Sequence, residues 1–146
     1  MGTTLVTALA RNGTVSLGHV GDSRAYLCSK GSLTQVTNDH SWVNEQVFLG
    51  LLTREEAAHH PFRNVITRAL GSREEVAADL TDLPFAAGDR LLLCSDGLTT
   101  MLDDREILEA LERHAKDLEA CAADLVERAN RAGGEDNVTV VLASLA

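Results

Sequence analysis

Positive charge is scarce in this sequence. Its 146 residues include 13 lysines and arginines against 22 aspartates and glutamates, which gives a formal net charge of -9 at pH 7. So acidic a chain repels the phosphate backbone of nucleic acids and the headgroups of anionic membranes. The composition therefore argues against both as partners. It also means that a phosphate-handling site in this chain must recruit positive charge from elsewhere.

Cysteines and long apolar runs are also few. Cys28, Cys94 and Cys121 are odd in number and show no C-x-x-C spacing, which indicates free thiols in a reducing cytoplasm and not disulfides or zinc ligands. No apolar run approaches the roughly 18 residues of a membrane span. Because neighbours in sequence rarely point at one ion, the adjacent His59 and His60 indicate the solvated end of a helix. We expect one cytoplasmic domain.

Short strand patterns fill the first part of the chain. Segments rich in Val, Leu, Thr and Tyr alternate with glycine-bearing turns, and Asn12-Gly13 is a strong hairpin signal. The pattern predicts an antiparallel meander of four strands at residues 3–9, 14–19, 24–29 and 33–36. Further strands are predicted at residues 89–95 and 138–143.

Capping residues mark the predicted helices. Ser41 can cap a short helix that runs to about Leu49, and Thr53 opens a capping box for a second. Asp103 opens another capping box, and residues 118–129 place apolar side chains on one helical face. The polar middle segment lies between strands, so we expect it to form a surface excursion beside a site.

Three aspartates share one local context. Asp22 in HVGDSRAY, Asp96 in CSDG and Asp136 in GGEDNVTVV each lie between small or turn-forming residues at the end of an apolar strand. A single Asp-Gly after such a strand is most often a turn, but three indicate one rim lined with carboxylates. Clustered carboxylates repel one another, and Mg²⁺ or Mn²⁺, which prefer oxygen ligands, relieve that repulsion and attract phosphate.

Other phosphatase chemistries lack their key residues. Thr100 stands six positions after Cys94, where a cysteine phosphatase needs an arginine, and Asp96-Gly97-Leu98 lacks the second acid of a D-x-D-x-T motif. The sequence contains no G-x-x-x-x-G-K loop and no G-x-S-x-G elbow. The chemistry that remains is hydrolysis by metal-activated water.

Five stretches, in order, resemble the metal-dependent PP2C-type (PPM) serine/threonine protein phosphatases in their bacterial form. They read GTTLVTAL, GHVGDSRAYL, LTQVTNDHSWVNEQVFLGLLTREEAAHHPFRNVITRALG, GDRLLLCSDGL and GGEDNVTVV. The resemblance implies an α+β fold over residues 1–146, an α-β-β-α sandwich of two antiparallel sheets flanked by helices. It also implies a flap at about residues 38–62, beside the active site.

The resemblance further implies the roles of individual residues. Asp96 would coordinate paired metal ions, Asp136 would ligate one of them, and Asp22 matches a position that binds a third ion in bacterial members. Gly97 would let the backbone turn tightly, and Asn137 would orient Asp136 without binding metal. The implied reaction is hydrolysis of phosphoserine and phosphothreonine by a hydroxide that bridges two Mn²⁺ or Mg²⁺ ions, with no side-chain nucleophile. The implied partners are phosphoproteins and a cognate serine/threonine kinase.

The resemblance covers only the later part of the family's domain. The family's D-G-x-G-G loop, further metal-binding aspartates and phosphate-binding arginine have no counterpart in these residues. We therefore expect this chain alone to be incomplete as an enzyme and prone to associate through uncovered sheet edges. Two alternatives stay open, a non-catalytic phosphatase-like fragment that binds phosphoproteins or a regulatory partner, and one half of a split enzyme.

Overall fold

Two antiparallel sheets and five helices make up the part of the chain that the computed structural model describes, residues 1–145. The strands are β1 (Leu5–Arg11), β2 (Thr14–Val20), β3 (Arg24–Ser29), β4 (Ser32–Gln35), β5 (Asp79–Pro84), β6 (Arg90–Cys94) and β7 (Val140–Ser144). The helices are α1 (Trp42–Phe48), α2 (Arg54–Ala58), α3 (Asp96–Thr99), α4 (Asp104–Arg113) and α5 (Leu118–Arg131). None of these helices is both long enough and apolar enough to cross a membrane.

The strands pair in the orders β1-β2-β5 and β4-β3-β6-β7. The expected meander of four consecutive strands is therefore wrong at its centre, because β2 and β3 belong to different sheets. The chain crosses between the sheets at residues 21–23, where Gly21 has a φ of 109°. Glycine adopts that conformation without the steric cost of a Cβ atom, so it can redirect the chain there.

Two apolar layers hold the elements together. One lies between the sheets and is built around Val15, Leu17, Ala25, Phe85 and Leu91. The other joins β3 and β6 to the helices and includes Tyr26, Leu92, Leu98, Ile107, Leu111 and Leu125. Since alternate residues of β3 and β6 face opposite layers, the four-stranded sheet lies between the three-stranded sheet and the helices.

Capping residues begin the helices where the sequence indicates. Thr53 and Glu56 form a reciprocal capping box at α2, Asp103 and Glu106 form one at α4, and the Ser41 hydroxyl accepts a hydrogen bond at the start of α1. These side chains satisfy backbone N–H groups that the first helical turn leaves without partners. The predicted helix starts are confirmed.

The three-stranded sheet leaves apolar side chains exposed on its outer face. Leu9 is 66% exposed and Leu80 is 82% exposed, and their strand partners Ser16 and Gly18 share that face. Val15 and Leu17 on the opposite face are buried. The strand β1 is also an edge of its sheet, so this face and edge are open to contact.

Candidate metal centre

Asp96 and Asp136 lie on two chain segments that hydrogen bonds join. Asp96 begins α3 directly after β6, and Asp136 lies in the loop between α5 and β7. The Ser95 backbone N–H donates to the Thr139 carbonyl at 3.0 Å, and the Thr139 N–H donates to the Ser95 hydroxyl at 3.0 Å. This brings Asp96 and Asp136 to the wall of one pocket of about 100 Å³.

Gly97 allows these two segments to approach closely. It is buried in α3, and a Cβ atom at this position would lie 2.2 Å from the Asn137 carbonyl oxygen, far inside van der Waals contact. Asn137 in turn contacts Asp136 through its backbone N–H, which donates to Asp136 Oδ1 at 2.7 Å. The packing of α3 against residues 136–137 therefore depends on the absence of a side chain at Gly97.

Asp22 reaches the same end of the four-stranded sheet from the other side. It lies in the turn between β2 and β3, and Arg24 pairs with Cys94 in the antiparallel register. The turn that precedes Arg24 is therefore beside the segment that follows Cys94. Burial raises the pKa of the Asp22 carboxyl group, and the nearby negative charge of Asp96 raises it further. The structure thus places Asp22 near Asp96, and Asp96 shares a pocket with Asp136.

The carboxylates of Asp22, Asp96 and Asp136 do not form a group of three ligand atoms that all lie within 4.8 Å of one another. Among residues 1–145, the group of three candidate ligand atoms within 4.8 Å of one another is a different one, formed by His19, His40 and Asp79. Wider spacing leaves room for water between the carboxylates. Mg²⁺ commonly retains several waters when protein carboxylates bind it, so a site for this ion does not require carboxylates in mutual contact.

A half-buried ion pair fixes the segment beside this site. Arg24 donates from Nε and Nη2 to the Asp39 carboxylate at 2.7–3.1 Å, and from Nη1 to the Tyr26 hydroxyl at 3.0 Å. The Asp39 carbonyl accepts a hydrogen bond from the Asn44 side chain at 2.9 Å. Burial raises the pKa of Tyr26 to about 12, which keeps its hydroxyl neutral. Arg24 thereby anchors the start of α1 to β3.

Asn64 is a site residue that sequence reasoning missed. It lines the pocket with Asp96 and Asp136 although it lies between α2 and β5. Pairing of the two ends of this excursion brings it there, because the Trp42 N–H donates to the Val65 carbonyl at 2.9 Å. No local pattern marks Asn64 in the sequence. Its membership of the stretch that resembles the phosphatases is the one signal that could have indicated it.

Similar proteins share both this sequence and this fold. The family model described as "Protein phosphatase 2C" matches residues 1–141. The serine/threonine phosphatase stp of Listeria monocytogenes is 44% identical over 142 residues, which are 97% of this chain and 56% of that protein. The chain therefore spans little more than half the length of this relative.

Solved structures extend the match to three dimensions. The crystal structure of the Mycobacterium tuberculosis serine/threonine phosphatase PstP/Ppp superposes with a TM-score of 0.93 at 48% identity, over 99% of this chain and 60% of that one. A PstP catalytic domain crystallised with two manganese ions gives 0.86 at 45% identity, over 97% of this chain and 57% of that one. The expected fold of two antiparallel sheets with flanking helices is confirmed, and the chain belongs to the protein phosphatase 2C family.

Proposed function

We propose that this chain forms part of a metal-dependent protein serine/threonine phosphatase in which Asp22, Asp96 and Asp136 hold Mn²⁺ or Mg²⁺. The observation that carries the proposal is that Asp96 and Asp136, far apart in sequence, line one pocket, while the pairing of Arg24 with Cys94 places the Asp22 turn beside the segment that bears Asp96. Like charges this near to one another disfavour ionisation. A cation at this place would relieve that repulsion.

The donor set fits a hard divalent cation. Carboxylate oxygens are the ligands that Mg²⁺ and Mn²⁺ prefer, and none of the described residues that line the pocket is a cysteine or a histidine. Bound ions would lower the pKa of a water and attract the substrate phosphate. That recruited charge resolves the difficulty of binding phosphate with a chain whose net charge is -9.

The surrounding residues would orient the acids and shape the entrance. The Asn137 N–H holds Asp136, and Gly97 lets the Asn137 carbonyl approach α3. The neutral side-chain amide of Asn64 can donate a hydrogen bond to a phosphate oxygen without adding charge to the site. We assign residues 38–62 to a flap that borders the pocket, with Asn64 just beyond it.

The names of the relatives support a proposal for the substrate class. The similar proteins are named serine/threonine phosphatases, so we propose phosphoserine and phosphothreonine in proteins as substrates, with a cognate kinase acting in opposition. The three cysteines are free and buried, which supports a reducing, cytoplasmic setting. Because the chain spans 56% of one such relative, we propose that efficient turnover requires further ligands outside these residues.

Metal binding tests the proposal directly. We expect isothermal titration calorimetry to show Mn²⁺ binding to this chain and Asp96→Asn to weaken it by more than roughly tenfold, the least that the loss of even an outer-shell partner usually costs. Asp82→Asn is the matched control, because Asp82 is exposed on the outer face of the three-stranded sheet. Equal Mn²⁺ affinity in the wild type and Asp96→Asn would overturn the assignment.

Hydrolysis is the second measurement. With p-nitrophenyl phosphate and a phosphothreonine peptide in millimolar Mn²⁺, we expect little turnover from this chain alone, since loss of metal ligands removes several kcal/mol of transition-state stabilisation, or roughly a thousandfold or more in rate. Robust turnover that Asp96→Asn abolishes would show that these residues already form a complete site. Turnover that Asp96→Asn leaves unchanged would exclude the pocket as the catalytic site.

A further inference from the structure

Two buried histidine rings pack against each other near the start of the excursion that contains α1 and α2. His19 on β2 is 3% exposed, and His40 is 4% exposed. Their ring centroids are 4.6 Å apart. Asp79, the first residue of β5, pairs with His19 in the strand register and contacts His40. The chemistry proposed above uses none of these three residues.

The hydrogen bonds of His40 argue against a metal ion in this cluster. The Gly21 backbone N–H donates to His40 Nδ1 at 3.0 Å, so Nδ1 carries no proton. The proton of the neutral ring is therefore on Nε2, which lies 2.8 Å from Asp79 Oδ2 and donates to it. A metal ion on Nε2 would displace that proton and leave an imidazolate anion. Both ring nitrogens of His40 instead serve a chain of hydrogen bonds.

One end of this chain of hydrogen bonds holds Gly21, the residue immediately before Asp22. Gly21 donates its N–H to the His40 side chain, and its carbonyl accepts from the His40 backbone N–H at 2.9 Å. On its other side Gly21 is confined by Thr4, because a Cβ atom at Gly21 would lie 2.4 Å from Thr4 Cγ2. His40 therefore fixes the backbone from which the Asp22 side chain extends.

The other end of this chain of hydrogen bonds fixes His40 itself. Asp79 accepts from His40 Nε2 through Oδ2, and from Arg68 Nη1 through Oδ1 at 2.9 Å. The His40 carbonyl accepts from the Thr67 N–H at 2.9 Å. Asp79 thus sets the tautomer and the orientation of the ring, in the way that a carboxylate behind a histidine does in other sites.

We propose that His40 is a positioning residue for Asp22, which it places by accepting the Gly21 N–H hydrogen bond at Nδ1. The proposal rests on the proposed function only in taking Asp22 as a metal ligand. Loss of the Nδ1 contact should release the Gly21 turn, whereas loss of the Nε2 contact should leave that turn largely in place. The two contacts can be removed one at a time.

The tautomer of His40 is the first test, and it needs no variant. In ¹⁵N-detected NMR of the wild-type chain we expect the Nε2–H tautomer for His40. Observation of the Nδ1–H tautomer would overturn the proposal, because Nδ1 could then accept no hydrogen bond from Gly21.

Two variants, each with an amide in place of the imidazole, then separate the contacts. In His40→Asn the Oδ1 atom can replace Nδ1 as the acceptor for Gly21, whereas in His40→Gln the amide nitrogen can replace Nε2 as the donor to Asp79. We expect the Gly21 amide of His40→Gln to exchange with deuterium roughly tenfold faster than in the wild type, and that of His40→Asn to stay near the wild-type rate. Equal exchange rates in the two variants would refute the positioning role.

Mn²⁺ affinity connects the turn to the site. We expect His40→Gln to weaken Mn²⁺ binding several-fold in the wild-type background and to have no further effect in Asp22→Asn, while His40→Asn binds nearly as the wild type does. An equal effect of His40→Gln in both backgrounds would overturn the proposal. If Asp22→Asn alone leaves Mn²⁺ binding unchanged, the assignment of Asp22 in the proposed function fails, and the Gly21 exchange rates still decide the role of His40.

Discussion

Replacement of Gly97 by alanine should have two opposing effects on the stability of the fold, one from helix propensity and one from tertiary packing. In a helix, alanine is more favourable than glycine by about 0.5–1 kcal/mol, because glycine loses more conformational freedom on folding. Helix propensity alone therefore predicts that Gly97→Ala stabilises α3. The contact across the site predicts destabilisation, because the new Cβ atom would lie 2.2 Å from the Asn137 carbonyl oxygen and 2.9 Å from its carbonyl carbon.

The magnitude follows from the displacement that relieves this overlap. Ordinary contacts of a Cβ atom begin near 3.4 Å, so α3 and residues 136–137 must separate by roughly 1 Å. Overpacking of this kind in a buried position costs about 1–3 kcal/mol. Subtraction of the gain in helix propensity from the middle of that range leaves a net loss of about 1 kcal/mol, which for a domain of this size lowers Tm by roughly 3 °C.

Thermal unfolding followed by circular dichroism measures this change, with Gly18→Ala as the matched control. Gly18 lies on the outer face of the three-stranded sheet, where the nearest atom to a new Cβ would be the movable hydroxyl of Thr7, at 3.0 Å. We expect Gly18→Ala to stay within about 0.5 kcal/mol of the wild type. A Gly97→Ala protein that melts at or above the wild-type temperature would refute the close approach of α3 to the Asn137 carbonyl.

Three further outcomes follow from the charge and exposure of particular side chains. Asp22→Asn should stabilise the metal-free chain at pH 7, because the folded-state pKa of Asp22 is raised and its ionisation therefore opposes folding. This gain in stability should fade as the pH falls through the folded-state pKa towards the ordinary value of 3.8. Denaturant titrations from pH 7 to pH 4 that show a constant gain would contradict this expectation. Iodoacetamide at pH 8 should leave Cys94 of the native chain unlabelled, since burial raises its pKa to about 12, and rapid native labelling detected by mass spectrometry would contradict its burial. Sedimentation velocity should show self-association that Leu9→Lys and Leu80→Lys together reduce, because both leucines are exposed on one sheet face, whereas a wild-type monomer at all concentrations would contradict it.

Local signals in the sequence account for much of the fold. The Val- and Leu-rich segment at residues 14–19 predicts β2, and the capping boxes at Thr53 and Asp103 predict the starts of α2 and α4. These features depend on residues close together in the chain. The strand β5 is not predicted, because Asp79–Pro84 carries little apolar alternation and becomes a strand by pairing with β2.

The candidate site shows the same division between local and long-range information. Each aspartate stands out in its own segment, but the proximity of Asp22 to Asp96 depends on the pairing of Arg24 with Cys94. The sequence does not show that β2 and β3 enter different sheets, nor that Asn64 reaches the pocket. Such facts arise from packing between distant segments, which composition and spacing do not encode.

The crossing of the chain between its two sheets also has a consequence for folding kinetics. Asp22 lies at that crossing, and it reaches Asp96 only when β3 has paired with β6, which closes a long loop. Contacts between such distant segments form slowly during folding. A metal ion held by both acids would stabilise the native state more than a folding transition state in which β3 and β6 have not yet paired. In that case the ion would lower the rate of unfolding while leaving the rate of folding nearly unchanged.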